Sequence, residues 1–290
     1  MATPGLPILG VYRMHPDKED PFISYRLLVL DIDGTLRPSG QDWVPRAVAE
    51  AVCAVQRSGV RVAIATGRGR CCIPKGMLRS IRPDYWLCAA GAQLLDRGGA
   101  ELAARRMTPE EMYALVDFFE DHDLPLRFVF RDATYAYLDY PAFAARSRTL
   151  GDSLRDGEDQ DRHLQDMPFT AFGHLSPAQA EQFRQKYGYL GLRFVFEGPD
   201  SCDILSPGVD KADALAALLR RLDLPAADCV AVGDSDNDAE MLALAGLGVA
   251  VEGGSPAALA AADRTCPSAA REGVADLCRE LWPAAFAGAE

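Results

Sequence analysis

A chain of 290 residues, 49% hydrophobic and 25% charged, has ordinary globular composition and is long enough for a large core plus a second domain. A formal net charge of -12 argues against a polyanionic partner such as nucleic acid, and no apolar run reaches the length of a membrane span. Eight cysteines and four histidines show no zinc spacing, so buried, reduced thiols in a cytoplasmic protein are expected rather than a metal knuckle or a disulfide framework.

Residues 1–24 are rich in Pro and Gly and lack the basic start and apolar middle of a signal peptide. They read as an extension ahead of the first core strand. Leu27 to Ile32 is strand-like. Pro45 to Ser58 carries Val48, Ala51, Val52 and Val55 at helical spacing, with Gly59 as a stop. Val60 to Ala65 and Tyr85 to Ala89 are further apolar runs. Short apolar strands linked by helices predict a parallel sheet covered on both faces.

The texture changes between about 93 and 201. Thr108-Pro109-Glu110-Glu111 is a capping box opening a helix that runs to about His122. Strands are expected at Leu126 to Phe130 and Thr134 to Leu138. Gly151 to Asp166 is strongly charged and reads as a loop. Ser176-Pro177 opens a second helix ending near Gly188, followed by strands at Leu192 to Phe196 and Ser201 to Leu205. The pentapeptide Leu-Arg-Phe-Val-Phe thus occurs twice, each time after a helix and before a second strand. That repeat points to a pseudo-symmetric α+β insert with its own sheet.

The earlier rhythm then returns: helix Lys211 to Leu222, strand Cys229 to Val232, helix Asn237 to Ala245, strand Gly248 to Val251 and helix Pro256 to Ala262. The expected fold class is α/β, with a Rossmann-like parallel-sheet core over 25–92 and 202–290 and an inserted α+β domain over 93–201. Nothing in the sequence sets an oligomeric state.

Four short stretches carry chemistry. Asp31-Ile32-Asp33-Gly34-Thr35-Leu36 follows the apolar run Leu27 to Leu30. Residues i and i+2 of a strand share a face, and the glycine lets both acids turn toward one centre. Like charges so close raise each other's pKa unless a cation intervenes. Such a pair suits a metal-assisted nucleophile beside a general acid. Thr66 and Gly67, at the end of the second strand, offer a hydroxyl and backbone amides to phosphate oxygens. Lys211 occupies the first turn of a helix, where the macrodipole disfavours a cation by roughly 0.3–1 kcal/mol. Either Asp210 and Asp213 offset it on the surface, or it reaches inward between a carboxylate and a phosphate. Gly233-Asp234-Ser235-Asp236-Asn237-Asp238 follows another buried strand and offers the oxygen donors that suit Mg2+. It lacks the glycine and terminal glutamate spacing of an EF-hand.

These four stretches, in this order and context, resemble the signatures of the haloacid dehalogenase superfamily, which is dominated by phosphatases. The similarity covers both core blocks and runs almost unbroken from Pro207 to Glu252, with Glu272-Gly273-Val274 resembling a further feature. A large insert between the second and third signatures resembles the α/β cap of the Cof-like branch, subclass IIB. The resemblance implies a Mg2+-dependent phosphatase of a small phosphorylated metabolite, such as a sugar phosphate. It implies that Asp31 attacks phosphorus to give an aspartyl-phosphate, and that Asp33 protonates the leaving alcohol and then activates water. Thr66, Gly67 and Lys211 then hold phosphate oxygens. Mg2+ falls to Asp31, the Asp33 carbonyl and Asp234, with Asn237 and Asp238 around them. A phosphomutase of the same superfamily and a non-catalytic metabolite-binding module are the competing readings. The branch usually has Asn-Gly where this chain has Ala90-Gly91, and Gly-Asn-Ala where it has Gly253-Gly254-Ser255. In the insert, Arg127, Arg131, Arg193 and His174 are candidate substrate contacts, although strand alternation also allows them to face solvent.

Overall fold

The structure, a computed structural model, describes residues 25–146, 153–157, 162–196 and 198–287. The extension expected over 1–24 lies outside the described residues. Strand β1 (Leu27–Leu30) is buried along its whole length, with Leu28 and Leu30 on one face and Leu27 and Val29 on the other. An unbroken apolar run of this kind needs cover on both sides. Helix α1 (Arg46–Arg57) covers the first face with Val48, Val52 and Val55. Strands β2 (Arg61–Ala65) and β3 (Tyr85–Cys88) follow, parallel to β1.

Strands β4 (Gln93–Asp96) and β5 (Glu101–Ala104) extend this same sheet antiparallel. They correct the boundary expected at 93, because both belong to the core sheet. β5 is mostly exposed at the sheet edge, so it carries no apolar pattern for a sequence reading to find.

The second sheet follows. Helix α2 (Pro109–Asp121) leads to β6 (Leu126–Val129), β7 (Thr134–Leu138), α3 (Tyr140–Arg146), β8 (Leu154–Asp156) and β9 (Thr170–Gly173). Helix α4 (Pro177–Tyr187) leads to β10 (Arg193–Phe196) and β11 (Cys202–Leu205). The order is β10-β11-β9-β6-β7-β8. The two Leu-Arg-Phe-Val-Phe copies form β6 and β10, each paired antiparallel with the strand that follows it. β11, expected to open the core, belongs to this sheet. β8 lies in the charged stretch expected as a loop, where it pairs parallel with β7 and docks Leu154 beside Ala136 and Phe143. Both α2 and α4 begin with capping boxes, Thr108 with Glu111 and Ser176 with Gln179. They cover one face of the sheet, burying Phe119 and Phe183 against Phe128 and Ile204. Residues of opposite parity, among them Arg127, Phe172 and Asp203, point the other way.

The chain re-enters the core through α5 (Lys211–Leu222), β12 (Cys229–Gly233), α6 (Ala239–Leu244), β13 (Leu247–Val251), α7 (Pro256–Ala261), β14 (Arg264–Cys266) and α8 (Gly273–Leu281). The helix expected from Asn237 starts as a 3-10 turn at Asp236–Asp238. The core order is β14-β13-β12-β1-β2-β3-β4-β5. Strand order reverses between β1 and β12, and ligands of open α/β sheets bind beyond the carboxyl ends of strands at such a point. No helix among the described residues is long and apolar enough to cross a membrane.

The repeat gives a packing test. Phe128 is fully buried, whereas its counterpart Phe194 is only partly so. Phe128→Ala should cost about 3–5 kcal/mol in urea unfolding, and Phe194→Ala clearly less. Equal losses would show that the two copies are packed alike.

Candidate active site

Asp31 is pinned where β1 ends, its N–H donating to the Val232 carbonyl at 3.0 Å. The loop then turns sharply, with Arg37 N–H donating to Ile32 O at 2.8 Å and Gly34 N–H to Arg37 O at 2.9 Å. Gly34 has φ +90°, and any Cβ there would collide with the Asp234 carboxylate. Thr35 Oγ1 donates to Asp234 Oδ1 at 2.7 Å, tying the first loop to the fourth.

Lys211 lies inside the protein, 1% exposed. Its Nζ donates to Asp31 Oδ1 at 2.8 Å and to Asp238 Oδ1 at 2.7 Å. Asp210 caps α5 by accepting from Asp213 N–H, so the acids beside Lys211 serve the helix while the ammonium serves the interior. The other Asp238 oxygen accepts from the N–H groups of Asp234 and Ser235 and from Ser235 Oγ, each at 3.1 Å. Thr66 is buried at the end of β2, its N–H donating to Leu87 O and its Oγ1 accepting from Arg68 N–H.

A cavity of about 680 Å³ opens over these groups. Asp31, Asp33, Thr66, Gly67 and Asn237 line its floor. The second sheet supplies the facing wall, with Arg127, Phe172 and Asp203 in one row across β6, β9 and β11. All eight residues singled out from the sequence (Asp31, Asp33, Thr66, Gly67, Lys211, Asp234, Asn237 and Asp238) gather in and directly beneath this cavity.

The family profile described as a haloacid dehalogenase-like hydrolase matches residues 28–277. The chain belongs to that family. The HMP-PP phosphatase of Cronobacter sakazakii is 30% identical over 81% of this chain and 87% of its own. The phosphoglycolate phosphatase of Methanoculleus marisnigri is 25% identical over 90% of this chain and 98% of its own. Among solved structures, a phosphatase of the haloalkanoate (HAD) enzyme superfamily from Bacteroides thetaiotaomicron superposes with a TM-score of 0.79, at 20% identity over 90% of this chain and 96% of that one.

Members of this hydrolase family generally use a divalent metal, and the acid cluster fits one. Oxygens of Asp31, Asp234 and Asp238 lie within 4.8 Å of one another. Against these three carboxylates the cluster holds one ammonium, Lys211. Burial pushes the Asp31 carboxyl well above its ordinary range, Lys211 opposes the rise, and Asp238 and Asp234 add to it. Burial also pushes Asp234 up to about 6, against the Thr35 hydrogen bond. Burial works against the Lys211 ammonium, but Asp238 and Asp31 outweigh it and raise its pKa. This excess of buried negative charge is what a hard cation relieves. Both oxygens of Asp238 already accept hydrogen bonds, which leaves Asp31 and Asp234 as the available carboxylate donors.

Asp33 faces elsewhere. Arg37 grips Oδ1, and Arg68 donates to Oδ2 at 2.5 Å and to Oδ1 at 3.1 Å. Although burial raises its pKa, the two guanidiniums win and hold the carboxyl below its usual value. Neither arginine was singled out from the sequence, because nothing local tells which carboxylate a guanidinium will find.

Of the insert candidates, only Arg127 reaches the cavity, its guanidinium lying 4.3 Å over the Phe172 ring. Arg131 pairs with Asp166, Arg193 pairs with Asp210, and His174 stacks on Phe143. Asp203 was missed, although Cys202 and Ile204 facing inward make its outward direction readable by alternation. At the first departure from the Cof-like pattern, Ala89 and Ala90 both take positive φ and pack with Phe169, Leu205 and Val209. The usual asparagine is thus replaced by a methyl in an apolar joint between the sheets. At the second, Ser255 caps α7 and lines the cavity, its N–H donating to Asp234 O at 2.7 Å.

The raised Asp234 value has a testable sign. Between pH 4 and 6 the folded carboxyl holds a proton that the unfolded one has released, so its contribution to stability falls as pH rises through that window. In chelator, wild-type melting temperature should lose ground to Asp234→Asn between pH 4 and 6, and Mg2+ should close the gap. Parallel curves with and without Mg2+ would contradict this.

Proposed function

We propose that this protein is a Mg2+-dependent phosphatase of small phosphorylated metabolites, acting through an aspartyl-phosphate on Asp31. The observation that carries the reading is the buried Lys211 ammonium, 2.8 Å from Asp31 Oδ1, beneath a cavity floored by Thr66 and Gly67. In this reading Asp31 attacks phosphorus while Lys211 and the Thr66 loop hold phosphoryl oxygens. We assign Mg2+ to Asp31, Asp234 and the Asp33 carbonyl. When bound there, the ion supplies charge neutralisation and orientation of the phosphoryl group. Asp238 orients Lys211, and Asn237, whose Oδ1 accepts from Ser235 Oγ at 2.9 Å, helps fix the fourth loop.

Asp33 is the proton-transfer group. With Arg37 and Arg68 on it, the carboxylate is ionised, the form that takes a proton from the water attacking the acyl phosphate. Protonating a leaving alcohol in the first step requires at least one of these contacts to part. Leaving groups that need little protonation are therefore favoured. The row Asp203, Phe172 and Arg127 recognises the leaving group, which it can meet with an acceptor, a ring face and a cation. The relatives named for HMP-PP and phosphoglycolate match the small phosphorylated class. We treat the second sheet, from α2 to β11, as the domain that covers the site.

A phosphate-release screen over phosphorylated metabolites tests the reading. Free phosphate should appear with Mg2+ and vanish in chelator; an isomerised ester in its place would mean a phosphomutase. Asp31→Asn should abolish turnover. Asp33→Asn should cost roughly 10²–10⁴-fold on alkyl phosphates and much less on activated aryl phosphates. Equal loss on both classes would remove Asp33 from protonation of the leaving group, because breakdown of the acyl phosphate is common to both.

A further inference from the structure

Cys71 and Cys72 are adjacent on the 3-10 turn Arg70–Cys72, just beyond the Thr66 loop. Their Sγ atoms lie 3.6 Å apart. Cys72 lines the active-site cavity, and Cys71 is half-exposed. The Cys72 sulfur meets two hydroxyls from the second sheet, Thr134 Oγ1 at 3.0 Å and Ser153 Oγ, which donates at 3.4 Å. The Cys71 sulfur also lies 3.6 Å from Phe130 O. The turn is thus a thiol-bearing contact between the core and the sheet above it. It also reaches the catalytic acid, because Arg68, which grips Asp33, donates to the Cys72 carbonyl at 3.5 Å.

The two thiols sit in unequal settings. Donation from Cys71, reinforced by Ser153, Thr134 and the nearby Arg127 charge, outweighs burial and lowers Cys72 to about 6. Cys71 is raised correspondingly. Burial pushes Cys88, Cys229 and Cys278 up to about 12 instead. A thiolate with access to a cavity is the reactive form of cysteine, and a second thiol beside it is a resolving group.

We propose that Cys71 and Cys72 form a peroxide-sensitive dithiol in the wall of the active site, which couples oxidation to loss of phosphatase turnover. The Cys72 thiolate attacks hydrogen peroxide, the O–O bond breaks, hydroxide leaves and Cys72 becomes a sulfenic acid. The Cys71 thiol then attacks that sulfur; the S–O bond breaks, the S–S bond forms and water leaves. Peroxide takes the two electrons. Neighbouring residues hold their Cα atoms about 3.8 Å apart, closer than most disulfides. Such a bridge is readily reduced, which suits a reversible device rather than a staple. Forming it turns Cys72 Sγ away from Thr134 and Ser153 and drags the turn that holds Arg68. The core–cap contact and the Asp33 clamp are both disturbed.

Tryptic cleavage after Arg70 and Lys75 isolates both cysteines in one peptide, residues 71–75. After hydrogen peroxide, that peptide should be lighter by two hydrogens and accept no alkylating label. Turnover of an aryl phosphate should fall several-fold, and dithiothreitol should restore both. Cys71→Ser should keep its basal activity. Its Cys72 should stay a sulfenic acid that dimedone traps, because the resolving thiol is gone. Two alkyl labels on the peptide after peroxide would overturn the proposal. So would a bridge that leaves activity unchanged, or a fully reversible loss in Cys71→Ser equal to that of wild type. The peptide masses do not depend on phosphatase activity, so failure of the dithiol and failure of the phosphatase reading can be told apart.

Discussion

The arrangement hangs on one buried ammonium. Lys211 enters at the first turn of α5, where the helix dipole opposes a cation and burial opposes any charge. It is held there because Asp31 and Asp238 each accept a hydrogen bond from it below 3 Å. Removing one partner of such a buried pair strands the other, at a cost of several kcal/mol. The lysine is therefore the joint between three chain segments far apart in sequence. It fixes the end of β1 through Asp31 and the loop after β12 through Asp238, and through its own helix it sets the return from the second sheet.

The parallel core makes this joint possible. β1 and β12 run side by side, so the loops after them open on one edge. Gly34 lets the first loop pass against the Asp234 carboxylate, and Thr35 then ties the two loops together. The result is a cluster with more negative charge than its own cation balances. A net charge of -12 over the whole chain makes the local cations count for more. Arg37 and Arg68 are spent on Asp33, and Lys211 on Asp31 and Asp238, so the excess of negative charge is left for a further cation to relieve.

Much of this was legible beforehand because chemistry constrained the residue types. Asp31, Asp33, Thr66 and Asp234 each follow an apolar run at the end of a core strand, and that junction is visible in a linear sequence. The repeated Leu-Arg-Phe-Val-Phe unit likewise marked β6 and β10. Pairings that depend on tertiary approach were not legible. Arg37 and Arg68 look like ordinary loop arginines until the fold brings them to Asp33. The limits of the two sheets were misplaced at both ends: β5 is a mostly exposed edge strand, and the two buried leucines of β4 do not tell from the sequence which sheet they join. β11 leads straight into the core while pairing with β9 and β10. β8 was hidden because only one of its three residues is buried.

Covalent capture of the nucleophile tests the central claim most directly. Enzyme quenched in acid during turnover of a phosphate ester, then digested and mapped by mass spectrometry, should carry a phosphoryl group on the peptide containing Asp31. The label should increase in Asp33→Asn if breakdown of the intermediate becomes slow. A phosphoryl group on another residue, or turnover with no phosphorylated peptide at any quench time in either protein, would contradict a lysine-clamped Asp31 as the attacking group.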